Sequence, residues 1–542
     1  METGRRRENL PGSGAPPQEQ GEKWNAMKRA APESMHPHLS NPLLQQAVSN
    51  ALKSLKVSPP GPLESHFNNG GYLPIAILAA NRPDMLRETL ESLLKARGAR
   101  RGDVLVLQDG DNAGVAQVAR SFGIEPVFHM RGHLRVHMDG AERIASHYKW
   151  ALQHALDSSP SSPGIIVVED DFLFSPDFID YFKAVGPLLE RDPTTFVVSA
   201  WNDNGLKDRV WDKARLCRTG FFPGLGWLLS RRLWTEELAS RWPDQHWDHW
   251  MRSPAQHKGR EAVYPEVNRD YHAGKKGTFM DAHHHDLYFK GIDYNTDPEF
   301  RWQLADTAIP SYLFAMQEVY EAYLAAVFTS PGTTHVAALD ELEEAVGDVV
   351  LWHDTDLDTR REPPDFKRVA TYLGIWHEWP RTGHSDGTLH TFRWHGSKAL
   401  VFLANVNTEQ GGRSSWAQYK PSHVTPLHSR EFKASAWDPL PVGTVPTAAT
   451  LPSQSCDYVC STAGLKCLAD GFRGVNTCHA LRAHFPCTDC SENYGPEQPA
   501  YVVPEAPLES LPGSCLYSSQ PGDSNCFASH SSTRRLCPCG PM

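Results

Sequence analysis

Three observations predict an α/β protein with a Rossmann-like, largely parallel sheet and a small disulfide-rich module after it. Apolar strand-like runs alternate with helical stretches from Leu73 onward. The run Ile165-Ile166-Val167-Val168 ends in Glu169-Asp170-Asp171, as a strand buried on both faces does when it opens into a polar crevice at its carboxyl end. Ten of the 11 cysteines lie between Cys456 and Cys539, a density typical of a disulfide framework. Taken in order, the periodicity predicts a strand over Pro74–Ala80, a helix over Asp84–Ala96 and a strand over Asp103–Leu107. A helix over Ala113–Phe122, a short strand over Glu125–Phe128, a long helix over Ala141–Leu156 and the carboxylate strand Ile165–Val168 follow. Residues 312–350 read as helical, and 392–405 as a hairpin with a His-Gly turn.

Composition narrows the function. At 542 residues with a net charge of −11, the chain is no general nucleic-acid binder. It has no apolar run of 18 residues, so no membrane anchor is visible, and no apolar stretch follows Arg5-Arg6-Arg7 to make a signal peptide. The cysteines nevertheless point to an oxidising compartment, and the two fit together if the N-terminus is incomplete. Zinc is the alternative, with Cys487 and Cys490 at ligand spacing. Cys217 is left as a buried thiol. The expected organisation is a disordered region over 1–70 with one amphipathic segment, Pro42–Leu55, and a catalytic domain over 71–300. The second part of that domain covers 301–410, a linker 411–455 and the Cys-rich module 456–542.

Several loops carry chemistry. Oxygen ligands clustered at Glu169-Asp170-Asp171 suit Mg²⁺ or Mn²⁺, or the strand simply runs into an acidic turn. Arg82 and Asp109 follow the first two strands, where an anion and a heterocycle could sit, although Asn-x-Pro and Asp-Gly are also ordinary turn formers. The glycine- and aromatic-rich stretches 199–205 and 218–227 offer flat faces for sugar rings or pack in a core. Asp248 stands beside two indoles, Trp247 and Trp250, a setting suited to a general base, or equally to a helix with Asp248 exposed and the tryptophans packed. His283-His284-His285 is a poor zinc site because adjacent side chains seldom converge.

These stretches, collinear over roughly 72–405, resemble the N-acetylglucosaminyltransferase I family. The match rests on VVEDD (167–171), SAWNDNG (199–205), FFPGLGWLL (221–229), WDHWMR (247–252), KGR (258–260), YPEVNR (264–269) and the late FRWHGSKALVFLA stretch. Protein O-mannose β-1,2-N-acetylglucosaminyltransferase shares most of them. The resemblance implies a GT-A fold and an inverting transfer of GlcNAc from UDP-GlcNAc in β-1,2 linkage to the α-1,3-linked mannose of an N-glycan core. Protein O-mannose transfer, or an inactive sugar-binding relative, is the alternative. It implies Mn²⁺, with Mg²⁺ or Co²⁺ as substitutes, held by Asp171 as the one protein ligand. It places Arg82, Asp109, His147, Glu169, Asp170, Trp247, Arg260 and Gly277 around the donor and makes Asp248 the catalytic base. UDP-GlcNAc and a mannose-terminated glycoprotein glycan are the implied partners, and the Golgi lumen the implied location. Asp270-Tyr271-His272 departs from the hydroxyl-rich stretch typical of the family, as does Phe279 from a serine and His249 from an acidic residue. The Cys-rich tail resembles that of N-acetylglucosaminyltransferase V through CxxxC (456–460), the pair near Cys487 and Cys490, and Arg-Arg-Leu-Cys-Pro-Cys (534–539).

Overall fold

A computed structural model describes residues 42–541 apart from 56–59, 131–137, 208, 283–284, 286–287, 305–309, 337–340, 343–344, 356–363, 378–379, 395–398, 409–412, 428–443, 477 and 519–523. The chain divides into two compact units. The first comprises 1–352, 381–404 and 414–424, and the second 353–380, 405–413 and 425–542.

The first unit is built on an eight-stranded mixed sheet in the order β3-β2-β1-β4-β8-β6-β9-β7. Its strands are β1 (Ile75–Ala79), β2 (Val104–Asp109), β3 (Val127–His129), β4 (Gly164–Glu169), β6 (Thr195–Ser199), β7 (Leu216–Thr219), β8 (Trp227–Ser230) and β9 (Glu261–Pro265). β1 pairs in parallel with both β2 and β4, with Leu78 opposite Glu169. The chain runs outward from β1 to β2 and β3, then returns to lay β4 on the other side of β1. That reversal is a topological switch point, and the crevice beyond the carboxyl ends of β1 and β4 is the place where α/β sheets take ligands. The α/β class and Rossmann-like mixed sheet expected from the sequence are thus present, with antiparallel pairings at β4–β8, β6–β8 and β7–β9.

Helices α3 (Pro83–Leu93), α4 (Ala113–Ser121) and α5 (Gly140–Asp157) supply the crossovers; α1 (Pro42–Ser54) and α2 (Pro62–Asn68) precede them. α5 begins at a capping box, in which Asp139 accepts from the Glu142 amide at 2.8 Å and Glu142 accepts from the Asp139 amide at 3.1 Å. Its buried stripe, Ala145, Tyr148, Leu152, Ala155 and Leu156, follows the helical period and joins the core with Ile165, Val167, Trp227 and Trp247. Two further strands, β5 (Phe172–Phe174) and β10 (Asp270–His272), form an antiparallel ribbon at the edge of the crevice. The remaining sheet, β11 (Thr334–Val336), β12 (Val349–His353), β13 (Leu389–Arg393) and β14 (Leu400–Asn405), contains the expected hairpin as β13–β14, whose turn lies outside the described residues.

Some expectations need correction. α1 matches the amphipathic segment and buries Leu44, Val48 and Ala51. Order does not wait for Leu73, however, because α2 is fastened by Glu64 to Arg191 at 2.6 Å. Among the described residues of 312–350, the long α-helix is Gln317–Thr329, with 341–342 also helical, and the rest is not helix throughout. Val349-Val350-Leu351-Trp352 is fully buried strand, and an apolar run buried on all sides carries no period to separate strand from helix.

In the second unit, β15 (Val445–Ala448), β16 (Lys466–Cys467), β17 (Asp489–Asn493), β18 (Ala500–Val502), β19 (Ser514–Ser518) and β20 (Thr533–Gly540) form a six-stranded sheet. β15 falls inside the expected linker 411–455 and pairs with β20. Five disulfides close the module: Cys456–Cys537, Cys460–Cys539, Cys467–Cys526, Cys478–Cys490 and Cys487–Cys515. The first two share one geometric cause. Four helical residues rise about 6 Å, and two strand residues about 6.6 Å. Cys456 and Cys460 on the helix Cys456–Thr462 therefore match Cys537 and Cys539 on one face of β20. Cys487 and Cys490 enter different bridges, which removes the zinc alternative. Cys217 is the buried free thiol.

Candidate active site

The carboxylates of the β4 terminus meet the loop after β1 at the switch point. Asp170 and Asp171 are buried, at 1% and 2% exposure, and Arg82 answers both. Its Nε donates to Asp170 Oδ1 at 3.1 Å, its Nη2 to the same oxygen, and its Nη1 to Asp171 Oδ2 at 2.6 Å. Burial would lower the guanidinium pKa, but Asp170 and Asp171 outweigh it and raise it. Burial pushes Asp170 up to about 6 even with Arg82 opposing. Glu169 is also raised, by loss of water and then by Asp171. Its partner is Tyr148 on α5, whose hydroxyl donates to Glu169 Oε1 at 2.5 Å. Burial and Glu169 hold that phenol well above its ordinary range, so it remains a donor.

Tyr148 is also the link to the far wall. Its ring stacks on Trp247 at 4.0 Å, and Trp247 stacks in turn on Trp242 and Trp227. Trp247 opens the short helix Trp247–Met251, which follows His246 in a left-handed conformation (φ 47°). Asp248, the next residue, is about one-third exposed and accepts from Arg252 Nη1 at 2.8 Å. Glu169, Asp171 and Asp248 all act electrostatically on the Tyr148 hydroxyl, so one side chain joins the carboxylate cluster to the expected base. Arg252 is itself fixed by the Phe222 carbonyl at 3.2 Å and by the Phe221 ring at 4.5 Å. Burial brings it down to about 10, which leaves it a cation at neutral pH.

A loop after β10 drapes over the cluster. The Ala273 amide donates to the Asp171 carbonyl at 2.9 Å. A Cβ at Gly274 would lie 2.0 Å from Asp171 Oδ2, so only glycine leaves that carboxylate its space. The Lys276 carbonyl accepts from Arg82 Nη1 at 3.4 Å, which brings Gly277 beside the same guanidinium. His272 places its Nε2 3.6 Å from Asp171 Oδ2. Burial lowers its imidazole pKa.

A second group gathers at the ends of β2 and β3. Asp109 and His129 are paired across the parallel ladder, and the ligand atoms of Asp109, His129 and His147 lie within 4.8 Å of one another. His147 Nε2 meets the Leu107 carbonyl at 3.0 Å and its Nδ1 faces His129 Nδ1 at 3.2 Å. With the Nε2 proton on the carbonyl, Nδ1 is the lone-pair side of His147.

Not every expected site residue joins these groups. Arg260 is committed to Glu237 Oε1 and Oε2 at 3.0 and 2.8 Å and to its own turn. Trp201 and Trp227 are fully buried, so these aromatic stretches are core rather than sugar platforms. The polar residues of 201–204 bond inward as well, Trp201 Nε1 to Asp203 at 3.1 Å and Asn202 to the Glu266 carbonyl at 2.7 Å. Of the histidine triplet, His285 is buried and lies 3.2 Å from the His272 carbonyl, while 283 and 284 are outside the described residues. Sequence reasoning missed Arg381, which pairs with Asp203 at 3.3 Å and lies over the Phe221 ring at 5.3 Å. Nothing around Arg381-Thr382-Gly383 marks it locally.

A switch-point crevice edged with buried carboxylates, with a further carboxylate on an indole-backed helix nearby, is the kind of site at which α/β enzymes bind ligands. A family model, that of the GNT-I family, matches residues 61–421. A curated relative from Arabidopsis thaliana, "Alpha-1,3-mannosyl-glycoprotein 2-beta-N-acetylglucosaminyltransferase", is 32% identical over 337 residues, covering 59% of this chain and 72% of the relative. Among solved structures, "Crystal structure of S. aureus TarS 1-349" aligns at 11% identity with a TM-score of 0.19, covering 48% of this chain and 66% of that one, too weak a likeness to carry an argument. The chain belongs to the GNT-I family.

A divalent cation accords with membership of this family, and the residues fit one. Asp171 Oδ1 is a buried carboxylate oxygen without a hydrogen-bond partner, a costly state unless a cation or a proton answers it. The carboxylate oxygens of Glu169, Asp170 and Asp171 suit a hard cation, with one imidazole nitrogen, His272 Nε2, 3.6 Å from Asp171 Oδ2, whereas Asp109, His129 and His147 form a nitrogen-rich set. Among the described residues, no helix is long and apolar enough to cross a membrane.

Proposed function

We propose that the protein transfers GlcNAc from UDP-GlcNAc, with inversion, to the 2-hydroxyl of the α-1,3-linked mannose of an N-glycan core. The observation that carries this reading is the Tyr148 bridge, which sets Glu169 and Asp248 on the two walls of one crevice through a hydrogen bond and a stacked indole.

In this account Asp171 anchors a divalent cation, Mn²⁺ by preference with Mg²⁺ or Co²⁺ as substitutes, and that ion supplies neutralisation of the diphosphate's charge. Asp109 and His147 hold the nucleotide, with Arg82 positioning both the carboxylates and the nucleotide. Glu169 and Asp170 bind donor hydroxyls, Trp247 backs the donor wall, and Gly277 belongs to the loop that closes over it. Asp248 takes the proton from the acceptor hydroxyl as that oxygen attacks the anomeric carbon from the face opposite the leaving diphosphate. A single base and a single displacement invert an α-linked donor to a β product. Arg252, at 2.8 Å, orients the carboxylate and Tyr148 keeps Glu169 in place. Donor binding and proton removal thus fall to different elements, β4 and the helix Trp247–Met251.

The Golgi lumen is the proposed location; five disulfides accord with an oxidising compartment. The proposed organisation is a catalytic region over 71–410 with the Cys-rich module as an accessory. The test is a paired assay with labelled UDP-GlcNAc, a five-mannose N-glycan and an O-mannosyl peptide at equal concentration. The N-glycan should give the higher kcat/KM. A ratio favouring the peptide would move the protein to O-mannose transfer, and donor hydrolysis or silence with both would refute the activity.

A further inference from the structure

The resemblance to the family implies one protein ligand for the cation, and at His272 this chain departs from the family's hydroxyl-rich stretch. β10 pairs antiparallel with β5 so that His272 stands opposite Phe172, the residue directly after Asp171. The backbone ladder therefore brings this imidazole to the cation anchor. Its Nε2 lies 3.6 Å from Asp171 Oδ2. Ligand bonds of about 2.1 Å put neighbouring donor atoms about 3.0–3.4 Å apart, a few tenths of an ångström closer than this pair; Oδ2 also accepts from Arg82 Nη1 at 2.6 Å, and the second oxygen of the same carboxylate, Oδ1, has no hydrogen-bond partner. The side chain is buried, at 8% exposure, and its Nδ1 has no hydrogen-bond partner. It is held in place rather than mobile. The Phe289 ring packs on it at 4.8 Å, the Phe172 ring at 5.6 Å, and His285 meets its carbonyl at 3.2 Å. A histidine packed among apolar rings, with one nitrogen directed at a buried carboxylate, is better placed to ligate than to fill space.

We propose that His272 is a second protein ligand, through Nε2, for the divalent cation anchored by Asp171, and that it shifts cation choice away from Mg²⁺ towards Mn²⁺ or Co²⁺. Imidazole prefers any first-row transition ion to Mg²⁺, modestly for Mn²⁺ and more for Co²⁺, whereas Mg²⁺ favours oxygen alone. The inference rests on the reading of Asp171 as the anchor.

The test uses the full chain with Mn²⁺ and UDP, read by pulsed electron paramagnetic resonance. Wild-type protein should show nitrogen modulation of the bound Mn²⁺, and the pattern should change when histidine is supplied with ¹⁵N, a readout that needs no variant. His272→Leu should lose the modulation, bind Mn²⁺ at least about tenfold more weakly in the presence of UDP, and lose at least about tenfold in its preference for Mn²⁺ over Mg²⁺. Mn²⁺ bound in an Asp171-dependent manner without a nitrogen signal would overturn the ligand assignment and leave the anchor standing. Mn²⁺ binding unchanged in Asp171→Ala would overturn both.

Discussion

Asp248→Asn separates proton removal from donor binding. The substitution keeps shape, and the amide oxygen can still accept from Arg252 Nη1, now 2.8 Å away. The Trp247 stack on Tyr148 at 4.0 Å and the Tyr148 bond to Glu169 at 2.5 Å involve no atom of the changed side chain. The donor half of the crevice should therefore be untouched. What is lost is a carboxylate able to take a proton, and general bases contribute about 10²–10⁴-fold. At about 1.36 kcal/mol per decade this raises the barrier by about 3–5 kcal/mol. The assay is steady-state transfer from labelled donor, with UDP affinity measured by calorimetry in the same buffer. We expect kcat to fall by about 10²–10⁴-fold while UDP affinity changes by less than about twofold. A kcat within tenfold of wild type would show that Asp248 is not the base, and a matching loss of UDP affinity would show that the helix Trp247–Met251 serves the donor instead.

Three further outcomes follow from the same geometry. Asp171→Ala should abolish turnover and the Mn²⁺ dependence of UDP binding, since the ion's anchor is gone; UDP affinity that still rises with Mn²⁺ would contradict it. Gly274→Ala should fold normally yet weaken Mn²⁺-dependent UDP binding at least about tenfold, because the added methyl would fall 2.0 Å from Asp171 Oδ2; unchanged affinity would mean the loop is not held as described. The third outcome concerns the buried pair Glu261–His384. Burial would lower His384, but Glu261 and Glu321 raise it to about 9, and burial would raise Glu261, but His384 and Arg218 hold it at about 2. The imidazolium's contribution is complete below its ordinary 6.5 and disappears as pH rises towards 9; the carboxylate's is complete above its ordinary 4.5 and disappears as pH falls towards 2. Thermal stability should fall between pH 6.5 and 9 by an amount on the order of 2 kcal/mol, and His384→Gln should flatten that decline. A wild-type profile level across this range would refute the pairing.

The strands and helices of the β1–β4 half were legible because their signals are local. β1, β2 and β4 are apolar runs with abrupt polar ends, and α5 carries both a capping box and a helical stripe. The carboxylate edge was legible for the same reason, since three acids after a buried strand leave few physical options. What failed was nonlocal or ambiguous in period. β12 is apolar at every position, so helix and strand look alike. β15 is only four residues long, carries a proline and is defined by its pairing with β20, far along the chain. For Trp201 and Trp227 the choice between sugar platform and core stayed open in the sequence, because burial of an indole is not written in its neighbours. Arg381 reaches Phe221 only through the tertiary fold. His272 was visible as a departure from the family, but its approach to Asp171 depends on the pairing of β5 with β10 across nearly a hundred residues.

The reaction is written in the structure of its product. The transfer product made from UDP-GlcNAc and a five-mannose N-glycan should be isolated and its linkage solved by nuclear magnetic resonance. The account predicts one added GlcNAc, β-configured at its anomeric carbon, on the 2-hydroxyl of the α-1,3-linked mannose. An α-configured product would contradict a single inverting displacement with Asp248 as base, and substitution at another hydroxyl or another mannose would contradict the acceptor assignment.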